Sequence, residues 1–259
     1  MTGFGYNING FGVSGGGGTA TLVTQALINS QENYNTVVAS DFVGSGGTII
    51  IPAGFWVFST TNALTIDVEG ITIENYGKIV GRSRGIYIGA GGATINNYSG
   101  AFIAGGGGRG SQGRNGTPGY GAGSSEPNTY LNQNGPNGSG TSSGNGGGAG
   151  GGGGATTFSG TGSGGQGGWI LPGSGGAGGS SGYGSGGNGG SAGNVGGNGT
   201  RGGNDGGGPL NSNGGGGGWG ARGGGNGISA SGSLGNPAID PDGNTYTLSN
   251  SGTIYGATS

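Results

Sequence analysis

From residue 101 to residue 240 the chain places 60 glycines in 140 positions, and this stretch limits what the protein can become. Between Gly105 and Gly235 the Leu, Ile, Val and Phe side chains number eight: Leu131, Phe158, Ile170, Leu171, Val195, Leu210, Ile228 and Leu234. An ordinary hydrophobic core cannot be assembled from them. Burial has to outweigh the entropy lost by every ordered residue, and glycine loses the most. Any order in this stretch must come from the backbone.

Three backbone-dominated states compete. A collagen triple helix needs Gly at strictly every third position and abundant Pro. This chain has 8 prolines, and Gly often fills two positions of three, as in Gly186-Gly187-Asn188-Gly189-Gly190-Ser191. Glycine's entropy favours a disordered linker, and closing a long loop adds only a modest cost, one that grows logarithmically with length. Charge repulsion would not hold such a linker open, since the net charge is -2. The third state is an extended left-handed helix of the polyproline II type, with three residues per turn and no internal hydrogen bonds. Its amides and carbonyls point outward and need partners. With two glycines per turn, neighbouring helices come close enough to supply those partners, and Cα–H···O contacts add to them. The composition therefore predicts a polyglycine II bundle, a sandwich of parallel and antiparallel helices. Asn188, Ser191 and Asn198 are examples of the small residues that face a surface or fill a gap.

The flanks are of another kind. Residues 1–100 hold 20 glycines and the last 19 residues hold 3. In GGTIIIPAGFWVFS (46–59), the β-branched run Thr48 to Ile51 is bounded by Gly and Pro and reads as a strand. Further strands are expected over Ala63 to Val68 and Ile71 to Ile73. Thr19 to Val43 is the one segment in which a short helix competes with irregular structure. ITIENYGKIVG (71–81) is echoed by ATINNYSGAFIAG (93–105) and returns as YTLSNSGTIYG (246–256). Asn75 and Asn97 lie 22 residues apart, a suitable length for one coil of a parallel β-solenoid. Stacked coils would align Asn75, Asn97 and Asn250 in an amide ladder and put Ile73, Ile95 and Leu248 inside.

The expected fold is thus all-β and irregular: short parallel β-solenoid coils plus a polyglycine II bundle with aromatic loops. Residues 1–45 form an N-terminal attachment segment, and 46–104 form the coils, closed by 245–259. Residues 105–244 form the Gly-rich bundle.

The chain has no Cys and no His, which excludes disulfides, zinc sites of the usual Cys/His kind and imidazole catalysis. No Asp, Glu, Lys or Arg occurs between Glu126 and Arg201, and no basic cluster exists to displace counterions from nucleic acid. No secretory signal or spanning apolar run is evident, so no membrane insertion is expected. Glycan cleavage would need paired carboxylates. Asp67, Glu69, Glu74, Asp240 and Asp242 read instead as surface charges and turn residues. The expectation is a non-enzymatic binding protein without cofactor or metal.

Recognition should fall on the bulky interruptions of the Gly runs: 117–136, 155–159, 166–172, 180–183, 209–213 and 218–222. They supply Tyr120, Tyr130, Phe158, Trp169, Ile170, Leu171, Tyr183, Leu210, Trp219 and Arg222 as candidate receptor contacts. Aromatics on loops offer large contact area with few rotamers to freeze. The competing role for such a Trp is to cover backbone hydrogen bonds.

From Ile71 to Tyr255, the Asn-Gly strand units feeding into Gly-Gly-X runs resemble the Gly-rich distal adhesins of bacteriophage tail fibres. The resemblance implies a virion protein at the fibre tip, assembled in the host cytoplasm. It implies loops on a polyglycine II sandwich that contact an outer-membrane protein or lipopolysaccharide. It also implies a trimeric shaft protein, or self-trimerisation, as the fibre partner. GTIIIPAGFWVFS departs from that pattern and is similar to the opening coil of pectate-lyase-type β-helices common in phage tail proteins. The alternatives are a tail-associated polysaccharide depolymerase and an antifreeze-type polyglycine II protein. The irregular loops bearing Trp169, Tyr183 and Trp219 weigh against the latter.

Overall fold

The computed structural model describes residues 20–22, 37–112, 118–124, 167–168, 171, 175, 180–181, 184–185, 187–196, 198, 201–204, 209–211, 213–226 and 231–259. After β1 (Ala20–Leu22) and β2 (Val37–Val38), a 3-10 turn at Ala39–Asp41 leads into a run of short strands. These are β3 (Thr48–Ile51), β4 (Trp56–Ser59), β5 (Asn62–Ile66), β6 (Thr72–Asn75), β7 (Lys78–Gly81), β8 (Arg84–Ile88), β9 (Ala93–Asn97) and β10 (Phe102–Gly105). Two small antiparallel pairs follow inside the Gly-rich segment, β11 (Ser180–Ser181) with β12 (Gly184–Ser185) and β13 (Arg201–Asn204) with β14 (Pro209–Asn211). The chain closes with β15 (Ile239–Asp240), β16 (Tyr246–Asn250) and β17 (Thr253–Tyr255).

From β3 onward every third strand stacks in parallel on the one a coil away. The three resulting sheets have the orders β1-β3-β6-β9-β16, β17-β10-β7-β4 and β15-β8-β5-β2. Ile49, Ile73 and Ile95 stack in register, 24 and then 22 residues apart. The last coil comes from the far end of the chain, with Leu248 on Ile95, Ile254 on Ile103 and Ile239 on Ile86. The Gly-rich segment therefore leaves after β10 and returns as β15, in place of one corner of one coil. The stacked strands begin earlier than residue 46, with Ala20–Leu22 on β3 and Val37–Val38 on β5, and resume at Ile239. Where the segment 19–43 is described it is strand and 3-10 turn, with Ala20–Leu22 paired to β3 and Val37–Val38 to β5; the part of the helix expectation that falls on 23–36 lies outside the described residues.

Period-two alternation sends Ile49, Ile73, Ile95, Leu64, Ile86, Ile66 and Ile88 into the solenoid, all without accessible surface. Asn75 and Asn97 join them. Asn75 donates from Nδ2 to Asn97 Oδ1 at 2.8 Å, and Asn97 donates to Asn250 Oδ1 at 2.8 Å. The amide nitrogens also reach the first carbonyl of the next coil, Phe102 O at 3.2 Å and Thr253 O at 3.3 Å. Each buried amide is thus satisfied along the stack, as the cost of leaving it unpaired requires. Asn97→Ala removes the middle rung and strands groups on both sides. The expected loss is about 1–3 kcal/mol of unfolding free energy, read from urea denaturation.

The sheet containing β4, β7 and β10 is buried on both faces. Val57, Ile79 and Ile103 face the solenoid interior, and the alternate positions carry Trp56, Phe58, Val80, Phe102, Ala104 and Tyr255. A solvated outer face would not be apolar in this way; the Gly-rich segment covers it. Lys78 lies in the same outer column, with its ammonium 4.3 Å from the Trp56 ring and 5.6 Å from that of Phe102. It donates to Leu171 O at 3.0 Å, and burial pushes its pKa down.

The described Gly-rich residues bond through their backbones at intervals of three. Gly214, Gly217 and Gly220 donate to Ser111, Gly108 and Gly105, an antiparallel pairing. Gly187, Gly190 and Gly193 donate to Asn213, Gly216 and Trp219, and Gly119 and Ala122 donate to Gly214 and Gly217, both parallel. Segment 213–220 thus sits at the centre, bonded to neighbours on several sides. A Cβ on any of Gly214 to Gly218 would run into a backbone carbonyl, of Gly224, Asn188, Tyr120, Ala221 and Ser191 in turn. Five consecutive glycines are there because all sides of that segment are occupied.

Candidate functional site

Three tight turns seat the Gly-rich segment on the solenoid. Residues 121–124 (GAGS), 191–194 (SAGN) and 218–221 (GWGA) each close with a bond from the fourth amide to the first carbonyl. Each has Gly in third position at positive φ, 76° at Gly123, 76° at Gly193 and 66° at Gly220, as a type II turn requires. The second residue is apolar each time, and Ala122, Ala192 and Trp219 all pack into the core cluster. A Cβ at Gly193 would lie 3.1 Å from the Tyr255 ring, and Gly220 donates to Gly105 O at the end of β10. These turns therefore point at the solenoid.

A groove of about 280 Å³ opens where the segment departs from and rejoins the coils. Its lining combines Arg82 from the turn between β7 and β8, Arg109 after β10, Tyr120 with Gly121, Ala122 and Ser124 of the turn that follows it, and Asn236 ahead of β15. Backbone bonds fix the walls: Gly107 N to Ala122 O at 3.0 Å, Gly106 N to Arg82 O at 3.1 Å and Asn236 N to Gly106 O at 2.7 Å. Asn236 Nδ2 donates to Arg82 O at 2.7 Å, and Ser124 Oγ accepts from Gly167 N at 2.8 Å. The Arg109 guanidinium lies 4.6 Å from the centre of the half-buried Tyr120 ring, a contact worth about 0.5–1 kcal/mol. Arg82 and Arg109 are exposed, and no carboxylate belongs to the lining. Among the described residues Arg84 with Asp240, at 2.5 Å, is the one ion pair, so neither groove arginine is paired with a described carboxylate.

The candidate contacts named from the sequence separate into three groups. Tyr120 is in the groove and Arg222 is exposed. Trp219 has no accessible surface and Leu171 only 4%, so neither offers contact area. Both are corrected to core residues. The segment 218–222 is indeed a turn, but a turn against β10 and β17, where a Trp fills space that glycine cannot. Tyr130, Phe158, Trp169, Ile170 and Tyr183 lie outside the described residues, and Leu210 is in β14. Asn75, Asn97 and Asn250 form the ladder already described. Arg82 and Arg109 were not singled out by sequence. The available signal was their position, in GRSRG (81–85) and GGRG (107–110), flanking the exit into the Gly-rich segment.

Of the carboxylates weighed for glycan cleavage, Asp67, Glu74, Asp240 and Asp242 are engaged on the solenoid surface. Glu74 accepts from Asn96 at 2.9 Å and from the Tyr98 hydroxyl at 2.5 Å, and that bond pushes the Tyr98 pKa up. Asp242 accepts from Tyr87 at 2.6 Å, and Asp67 accepts from the amide and hydroxyl of Ser40. Burial raises the Asp67 pKa, but the two Ser40 bonds outweigh it and hold the group below its usual value.

No family model matches the chain, and no curated protein matches it. Among solved structures it is similar to the gp37-gp38 adhesin tip complex of the bacteriophage S16 long tail fiber. The identity is 20%, with a TM-score of 0.39, covering 82% of this chain and 71% of the other. A likeness at that level fixes neither topology nor activity.

Proposed function

We propose that this chain is the receptor-binding tip of a bacteriophage tail fibre. It attaches to a bacterial surface protein or lipopolysaccharide by binding alone, with a fibre shaft protein or further copies of itself as its structural partner. In this reading the Gly-rich segment is a polyglycine II sandwich, a rigid platform on the solenoid, and the residues that interrupt its glycine runs do the recognising. The observation that carries the reading is the three-residue spacing of backbone bonds among 105–111, 118–122, 187–193 and 213–220. A helix with three residues per turn and no internal hydrogen bonds produces that spacing. The strand units before and after the insertion add the resemblance to tail-fibre adhesins.

One feature supports an antifreeze-type protein instead. Thr48, Thr72, Thr94 and Thr247 stand in register across four strands, spaced by the ~4.8 Å between neighbouring strands. The next column, Ile50, Glu74, Asn96 and Ser249, mixes apolar, charged and amide groups and breaks the regular face that ice would need. The adhesin reading is therefore preferred.

The test is competition. Purified full-length chain should block adsorption of the phage that carries it to its host cells, in a dose-dependent way. Undiminished adsorption, combined with thermal hysteresis or with release of sugar from host polysaccharide, would transfer the function to one of the alternatives.

A further inference from the structure

We infer that the groove between Arg82 and Arg109 binds one anionic sugar unit of a surface glycan, its carboxylate or phosphate facing the two guanidiniums. This assignment rests on reading the chain as a cell-surface binder, and it names the ligand chemistry that reading leaves open. Three observations converge on it. The first is charge. In a chain with 7 basic residues, two of them line this groove with no acidic partner among the described residues, while Arg84 is neutralised by Asp240. Guanidinium presents a planar fork of donors that matches carboxylate and phosphate oxygens.

The second is the remainder of the lining, which suits a sugar better than a bare ion. Tyr120 adds a ring face and a phenol, and Arg109 packed against it fixes its position. Ser124 brings a hydroxyl, held in place by the bond it accepts from Gly167. Asn236 brings an amide anchored on the Arg82 carbonyl. The third is size and rigidity. A space of about 280 Å³ lies at the lower limit of pockets that enclose small organic ligands, so it takes a single ring and not a long chain. Backbone bonds between the entering, returning and turn segments build its walls, so the site is formed before the ligand arrives.

The test is calorimetric titration of the full chain with glucose 6-phosphate, galacturonic acid, glucose and inorganic phosphate. Saturable binding of one or both anionic sugars is expected, with glucose and inorganic phosphate each weaker by about tenfold or more. If galacturonic acid alone binds, the source is an acidic polysaccharide; if glucose 6-phosphate alone binds, it is a phosphorylated core sugar. Arg82→Gln and Arg109→Gln should each weaken anionic-sugar binding by about tenfold, and raising the salt should weaken it in the wild type. Arg82 is exposed and its side chain has no ion pair among the described residues, so its variant should keep the wild-type thermal midpoint. Glucose binding as tightly as glucose 6-phosphate would overturn the proposal. Inorganic phosphate matching glucose 6-phosphate would do the same, reducing the groove to an ion site, as would unchanged binding in both Arg variants. The titration needs no host cell, so its outcome is separate from that of the adsorption experiment.

Discussion

Trp219→Ala is expected to lower the unfolding free energy by about 3–5 kcal/mol, the range for truncating a fully buried aromatic. Trp219 has no accessible surface and sits at the second position of the turn that presses the Gly-rich segment onto β10 and β17. Its removal leaves a cavity that glycine backbone cannot collapse to fill, because Gly220 is already against Tyr255 and Gly256. Denaturant unfolding followed by tryptophan fluorescence and far-UV circular dichroism would measure the loss. Arg222→Ala, three residues on and exposed, should change stability by less than about 0.5 kcal/mol. A Trp219 variant as stable as wild type would mean that the segment is not seated on the solenoid through this turn.

Gly216→Ala should cost at least the ~3 kcal/mol at the upper end of overpacking penalties. A Cβ there meets the carbonyl of Tyr120, backbone that cannot rotate aside as a side chain would. That carbonyl belongs to the segment lining the arginine groove, so the variant should weaken ligand binding together with stability. Gly44→Ala is the control. Nothing lies within 4 Å of a Cβ at Gly44, and its effect should run from neutral to about 1 kcal/mol stabilising, through loss of freedom in the unfolded chain. Equal effects at the two positions would show that residues 213–220 are not enclosed by their neighbours.

The solenoid was legible because its signals are local and repeated. Period-two apolar runs ended by Asn and a Gly-containing turn told both the strand and the coil length, and Asn75, Asn97 and Asn250 fall on one line because the register is set by those runs. The direction of the turns in the Gly-rich segment was not legible. A bulky residue beside Gly reads as an exposed loop tip when its surroundings are all glycine, yet Trp219 turns inward because the outer face of the β4-β7-β10 sheet is itself apolar. That face alternates Trp56 with Phe58 and Phe102 with Ala104, and the apolar alternate positions already mark a sheet buried on both sides. Recognising it would have asked what covers it, and Ala122, Ala192 and Trp219 were available to answer. The groove was out of reach for another reason. Arg82 and Arg109 are brought together by the exit of a long insertion, and no short-range pattern encodes that meeting.

The most direct test of the backbone-built platform is amide hydrogen exchange resolved residue by residue. The amides of Gly214, Gly217 and Gly220, with those of Gly187, Gly190 and Gly193, should exchange slowly, each set marking an interval of three. Exchange at unstructured-chain rates across 213–220, with random-coil chemical shifts, would contradict the account.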